Sequence, residues 1–155
     1  MNKLIRLPAA AAALCVATLA LAAATGSKDE AQKMAVAAAE HVKKVGAEQA
    51  FKDFSTKGGK WHDRDLYVFC WDFRGNSTCH GANEKLIGKN FIDLKDSDGK
   101  AFVREFIAVG QSAGGRGWVD YKWTNPLSKK VEAKTSYMVR VAGSDVVLGV
   151  GAYAE

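Results

Sequence analysis

The sequence has little of what builds a catalytic centre or a metal site. It holds three histidines and three cysteines, and no histidine stands at a fixed spacing from a candidate nucleophile or carboxylate partner. No serine or cysteine sits in a recognisable nucleophile elbow. Cys79-His80 lacks the C-x-x-C-H spacing of a haem attachment, because the preceding cysteine, Cys70, is nine residues back. Cys70, Cys79, His80 and His62 have no zinc-like spacing. Asp96, Asp98, Gly99 and Glu105 match only part of a calcium loop, since Leu94 would occupy the first ligand position; they read as a turn. Asn76-Ser77-Thr78 fits a glycosylation sequon, which by itself carries little weight. No basic stripe is present: lysines and arginines are interspersed with acidic residues, which disfavours nucleic acid as a partner. Neither enzyme chemistry, nor a cofactor, nor a metal is expected.

What is present begins with a leader. Lys3 and Arg6 precede an uncharged run from Leu7 to Ala24, rich in Ala and Leu, with Pro8 near its start. It ends in Ala20-Leu21-Ala22-Ala23-Ala24, which offers two A-x-A cleavage sites. That layout predicts a secretory signal peptide over residues 1–24 and a mature domain over 25–155, periplasmic or secreted. The alternative is an uncleaved anchor, because the run approaches spanning length. Cys15 makes no lipoprotein signal, since Leu14 stands where a small residue is expected. Loss of Lys3 and Arg6 takes the formal charge from +5 to +3, too small a surplus to name a partner. The 48% hydrophobic and 25% charged fractions are those of a globular domain that can bury a core without a metal or disulfide.

Along the mature chain, Ser27-Lys28-Asp29-Glu30 is a capping box. Met34, Ala38, Val42 and Val45 then make an apolar helical stripe, flanked by Ala35 and His41. Gly46 bends it, and Ala47, Ala50, Phe51 and Phe54 carry it to about Ser55, before Gly58-Gly59. Leu66–Phe73 reads as a strand, Arg74-Gly75-Asn76 as a turn and Ser77–His80 as the return strand. Asp63 and Asp65, either side of Arg64, read as a solvated loop before that strand. Asn83–Ile87 suits a helical turn, and Ala101–Gln111 a short helix with Phe102, Phe106 and Val109 on one side. Trp118–Trp123, Val131–Val141 and Val146–Tyr153 are strands. The order predicts an α+β domain: an antiparallel sheet with a helix on one face. Cys70 and Cys79 would face each other across the hairpin if Arg74-Gly75 is its loop. In an oxidising compartment that predicts a disulfide, worth the low end of the usual ~2–4 kcal/mol because the loop is short.

Several of these segments, in this order, resemble the single Cache domain, type 2, a PAS-like extracytoplasmic sensor module. They are Asp65–Phe69, Asp72–Asn76, His80 with Leu86–Asn90, Asp96–Lys100, Gly117–Trp123, Lys134–Tyr137 and Gly149–Tyr153. Each is weak alone; together they cover essentially the whole mature chain. The resemblance implies a PAS-like antiparallel sheet of five or six strands, with a long N-terminal helix on one face and a ligand pocket on the other, under the loops and short helix. It implies a small organic acid as partner, of the acetate, propionate, pyruvate or lactate class, feeding signal transduction or chemotaxis. Receptors of the family continue into a membrane helix, whereas this chain ends two residues after Tyr153 and so looks like a freestanding version.

A carboxylate needs a cation and directed donors in a partly apolar cleft. The resemblance puts Lys134 and Tyr121 near the pocket, as counter-charge and hydroxyl donor, with His80 and Tyr137 as further candidates. Tyr67, Phe69, Trp71 and Trp123 would be walls. Each has a plainer reading. By alternation Lys134 shares a face with Glu132, Ser136 and Arg140, ordinarily a solvated face. Tyr121 and Trp123 could be core, His80 a turn residue, and Tyr137 points opposite to Lys134. The alternative function is an interaction module with a degenerate pocket, docking to a membrane receptor or to itself through Trp118, Trp123 and the long helix. At about 1.5 kcal/mol per heavy atom, a four-atom acid binds no tighter than tens of micromolar.

Overall fold

Ser27 opens the first helix as the capping box requires: its side chain accepts the Glu30 N–H, and the Glu30 carboxylate accepts the Ser27 N–H. The structure, a computed structural model, describes residues 25–154. The expected signal peptide over residues 1–24 lies outside the described residues. Helix α1 runs Lys28–Val45 and α2 runs Ala47–Ser55, broken at Gly46, whose φ of +85° is a conformation side chains rarely adopt. The buried face of α1 is Ala31, Ala35, Ala38, Ala39 and Val42; Met34 is only partly buried and Val45 is exposed. The contact stripe is thus made mostly of alanines, small enough to bring the helix axis close to the sheet.

The strands are β1 (His62–Asp63), β2 (Leu66–Asp72), β3 (Ser77–His80), β4 (Arg116–Thr124), β5 (Val131–Arg140) and β6 (Val146–Tyr153). All pair antiparallel, in the order β1-β2-β6-β5-β4, with β3 also on β2. Between β3 and β4 come a 3-10 turn (Glu84–Leu86), capped by Asn83, and helix α3 (Phe102–Gln111). No helix among the described residues is long and apolar enough to cross a membrane.

The sheet is covered on both faces. Leu66, Val68, Cys70, Leu148, Val150 and Ala152 pack against α1 and α2. Tyr67, Phe69, Tyr121, Met138 and Val147 pack against Phe102, Val103, Phe106 and Ile107 of α3. Period-two alternation sends neighbouring residues to opposite cores. Asp96 ties the second cover down: its carboxylate accepts the Asp98 and Lys100 N–H groups within its own loop and the Lys122 N–H of β4. The loop Asp96–Lys100 is therefore a stitch between α3 and the sheet.

Cys70 and Cys79 are direct register partners and form a disulfide with a Cα–Cα distance of 4.8 Å. Beyond them the register shifts, so that Trp71 faces Ser77 and Thr78 is bulged. Replacing both cysteines with alanine is expected to lower unfolding free energy by about 2–3 kcal/mol, the loop-closure value for so short a ring. Urea unfolding of the two forms measures it; an unchanged midpoint would show that the ring contributes nothing. Asp65 corrects the sequence reading. It is fully buried rather than part of a solvated loop, because β1 and β2 form a tight hairpin that turns its side chain inward.

Candidate functional site

Lys134 lies mid-strand on β5, between Tyr121 of β4 and Tyr153 of β6. It is 2% exposed, as deep as the leucines of the core. Its ammonium donates to the Tyr67 hydroxyl at 2.8 Å and stands 4.0 Å from the Tyr67 ring centroid, 4.7 Å from that of Tyr153 and 5.4 Å from that of Phe69. Cation–π contacts of this kind soften desolvation without neutralising charge. Among the described residues no carboxylate comes within 4.0 Å of it. Burial holds the Lys134 pKa well below its ordinary value, and Asp65, acting at longer range, opposes this only in part.

Gly151 explains how a lysine fits. It is the register partner of Ser136 on β6, and a Cβ there would collide with Ser136 Oγ and Lys134 Cε. Gly149 does the same for Met138, whose sulfur fills the space above it. The two glycines make a shallow floor over which Lys134, Ser136 and Met138 fold inward. Gly151→Ala is expected to overpack the floor, costing about 1–3 kcal/mol of stability and pushing the ammonium out of register with Tyr67. Thermal melts check this, and an unchanged melting temperature would refute the account.

Hydroxyls complete the ring of polar groups. Tyr121 Oη is 3.0 Å from Ser136 Oγ, while the Tyr121 ring stacks on Phe102 at 4.9 Å and meets Phe106 edge-on at 5.0 Å. Tyr67 Oη and Tyr153 Oη are 3.3 Å apart, and Tyr153 donates to the Thr124 carbonyl. Burial pushes all three phenols upward, so they remain neutral donors and acceptors. His80 is held at the end of β3, where its N–H donates to Ser55 Oγ at the end of α2. Its ring sits 5.1 Å from Tyr67, and its Nδ1 accepts the Asn83 N–H, which leaves the proton on Nε2. Burial, and then the charge of Lys134, lower its pKa to about 3. At neutral pH the site therefore holds one ionisable cation and a set of neutral donors.

The structure brings Lys134, Tyr121, His80, Tyr67 and Phe69 together. Trp123 stands at the rim, half-buried, edge-on to Phe102 at 5.5 Å. Trp71 is on the same face but four residues beyond Tyr67, roughly 13 Å along the strand, where it packs on Phe91. It does not join the Lys134 cluster. Tyr137 lies on the opposite face, against Trp118 at 5.1 Å and the α1 core, because odd and even positions of β5 face opposite ways. Ser136 and Tyr153 were missed as site residues. Same-face alternation with Lys134 could have found the first; only the β5–β6 register finds the second.

These groups can bind and orient an anion. They include no activated nucleophile and no acid–base pair of matched pKa. The profile of the family described as Single Cache domain 2 matches residues 14–155. The chain belongs to the single Cache domain family. Over 94 residues, 61% of the chain, it is 32% identical to the sensor histidine kinase MctS of Rhizobium johnstonii, covering 20% of that protein. Over the same length it is 30% identical to the methyl-accepting chemotaxis protein McpP of Pseudomonas putida, covering 17% of it. The chain thus spans about a fifth or less of the curated relatives it matches.

Among solved structures it is similar to a methyl-accepting chemotaxis protein from Vibrio parahaemolyticus (TM-score 0.70, 25% identity, 88% of this chain and 92% of that one). A Cache chemosensory domain solved to explain carboxylic acid recognition aligns with TM-score 0.68 and 25% identity, over 90% of this chain and 98% of that one. A Cache domain is a sensory module of chemotaxis receptors and kinases rather than a catalytic domain, and this chain is a Cache sensor domain.

Proposed function

We propose that this Cache domain binds a short-chain carboxylate, of the acetate, propionate, pyruvate or lactate class, at Lys134 in the periplasm, as the input to signal transduction or chemotaxis. The observation that carries the reading is a fully buried lysine whose only hydrogen-bond partner among the described residues is a neutral hydroxyl. A buried charge without a counter-ion costs several kcal/mol, and a ligand carboxylate removes that cost on arrival. Tyr67, Tyr121 and the His80 Nε2–H supply directed donors, and Phe69, Phe102 and Phe106 enclose the apolar end, which favours a short acid. The carboxylic acid recognition described for a structural neighbour agrees with this chemistry. A cysteine pair closed as a disulfide, together with the leader at residues 1–24, supports an oxidising compartment.

The experiment is a thermal-shift series of the mature protein with C2–C4 acids. Ligand at 100 times its dissociation constant adds about 2.7 kcal/mol, a rise of several degrees. Melting temperatures that stay flat with every acid up to about 10 mM, some hundredfold above the expected constant, would end this reading.

A further inference from the structure

Asp65 is a second buried ionisable group, a carboxylate with no ion partner among the described residues. It is fully buried, its Oδ1 accepts the Gly26 N–H at 2.6 Å, and its Oδ2 is buried with no hydrogen-bond partner among the described residues. A carboxylate oxygen taken from water and left unpaired is a standing cost. The nearby cations are engaged elsewhere. Arg64 binds Asp63, Glu30 and the Thr25 carbonyl, and Lys28 lies over the Trp118 ring at 4.8 Å. Lys134 forms no ion pair with it.

Thr25 and Gly26 are thus clamped from two sides, the Thr25 carbonyl by Arg64 and the Gly26 N–H by Asp65. The next nitrogen back is that of Thr25, within about 4 Å of the Gly26 nitrogen by backbone geometry. As a peptide N–H it is one neutral donor. As a chain terminus it is an ammonium with three donors that can turn toward Oδ2. The residues before it, Ala22-Ala23-Ala24, are one of the two A-x-A sequences at the end of the leader.

We propose that a signal peptidase cuts between Ala24 and Thr25, and that the Thr25 α-ammonium so released pairs with Asp65. In the cut, water adds across the Ala24–Thr25 peptide bond. The C–N bond breaks, the Ala24 carbonyl carbon takes the hydroxyl and becomes a carboxylate, and the Thr25 nitrogen takes protons to become the ammonium. The alternative site, after Ala22, leaves a chain two residues longer, with its ammonium two residues further along the chain from Gly26. A cleft of about 310 Å³ bounded by Thr25, Lys28, Ala152 and Tyr153 adjoins Thr25.

The test has two arms. Full-length protein is exported in a Gram-negative host, and the periplasmic product is read by intact mass and N-terminal sequencing; Thr25 is the expected first residue. Purified chains starting at Thr25 and at Ala24 are then melted side by side. The Thr25 form is expected to melt several degrees higher, and Asp65→Asn to erase the difference. If Asp65→Asn does not fold, the α-amino pKa of the Thr25 form is measured by NMR instead. It is expected above the ordinary range of about 7.7–8.0. A product starting at Met1 or Ala23, equal melting points, or an ordinary α-amino pKa would each overturn the proposal. None of these readouts needs a ligand, so they stand or fall independently of carboxylate binding.

Discussion

Lys134→Met is expected to make the protein more stable and blind to carboxylates. Methionine nearly matches lysine in volume and leaves the Gly151 floor and the Tyr67, Tyr153 and Phe69 rings in contact with an apolar chain. What disappears is a buried ammonium whose only hydrogen-bond acceptor among the described residues is a phenol. Replacing unneeded buried charge with well-packed apolar groups is worth about 1–4 kcal/mol in stability. Tyr67 keeps a partner in the Tyr153 hydroxyl, so no new orphan is created. The loss of binding is larger. A ligand carboxylate entering the methionine site would be buried opposite no cation, a penalty of about 2–5 kcal/mol, or at least roughly thirtyfold in affinity. Melting curves and titration calorimetry read both quantities on one sample. A methionine variant that melts lower than the parent would mean that Lys134 holds the fold together, and the binding site would have to be sought elsewhere.

The sequence half-reveals this candidate site. Alternation along β5 correctly puts Lys134, Ser136 and Met138 on one face and Tyr137 on the other. It cannot say which face is covered. The cover is α3 and the stitched Asp96 loop, elements whose own sequence shows an amphipathic helix and a turn but not where they dock. Hence Lys134 on a nominally polar face turns out as buried as a core leucine, and Trp71 and Phe69, two residues apart on one face, end up in different neighbourhoods. The long helix, the hairpin and the four principal strands carry strong periodicity or turn chemistry and were legible almost to the residue. β1 is too short to have a period, the Thr78 bulge has no local signature, and the burial of Asp65 depends on Gly26, which lies far back in the chain.

Carboxylate affinity is expected to fall tenfold for each pH unit once the pH exceeds the pKa of Lys134 in the free protein. Burial holds that pKa well below 10.5. A bound carboxylate favours the ammonium and raises it, so between the two values the complex holds more protons than the free protein and binding takes up a proton. Affinity is then full below the free pKa and lost as pH rises above it, levelling off only beyond the pKa of the complex. Within the Lys134 cluster, His80 and the three phenols stay neutral through this window. His80 has its pKa lowered to about 3, the phenols of Tyr67, Tyr121 and Tyr153 are pushed upward, and the short acids are ionised above about pH 5. Calorimetry in buffers of different ionisation enthalpy counts the protons directly, and the count should climb toward one per ligand as pH rises. The ligand-free protein should show the matching trend in stability. Its folded Lys134 pKa lies below the unfolded value, so the cost is full below the folded pKa and is relieved as pH rises toward the unfolded one. Lys134→Met should abolish that slope. Zero proton uptake across pH 6–9 would show that Lys134 is already charged in the empty site, with Asp65 at longer range sufficing as its counter-ion.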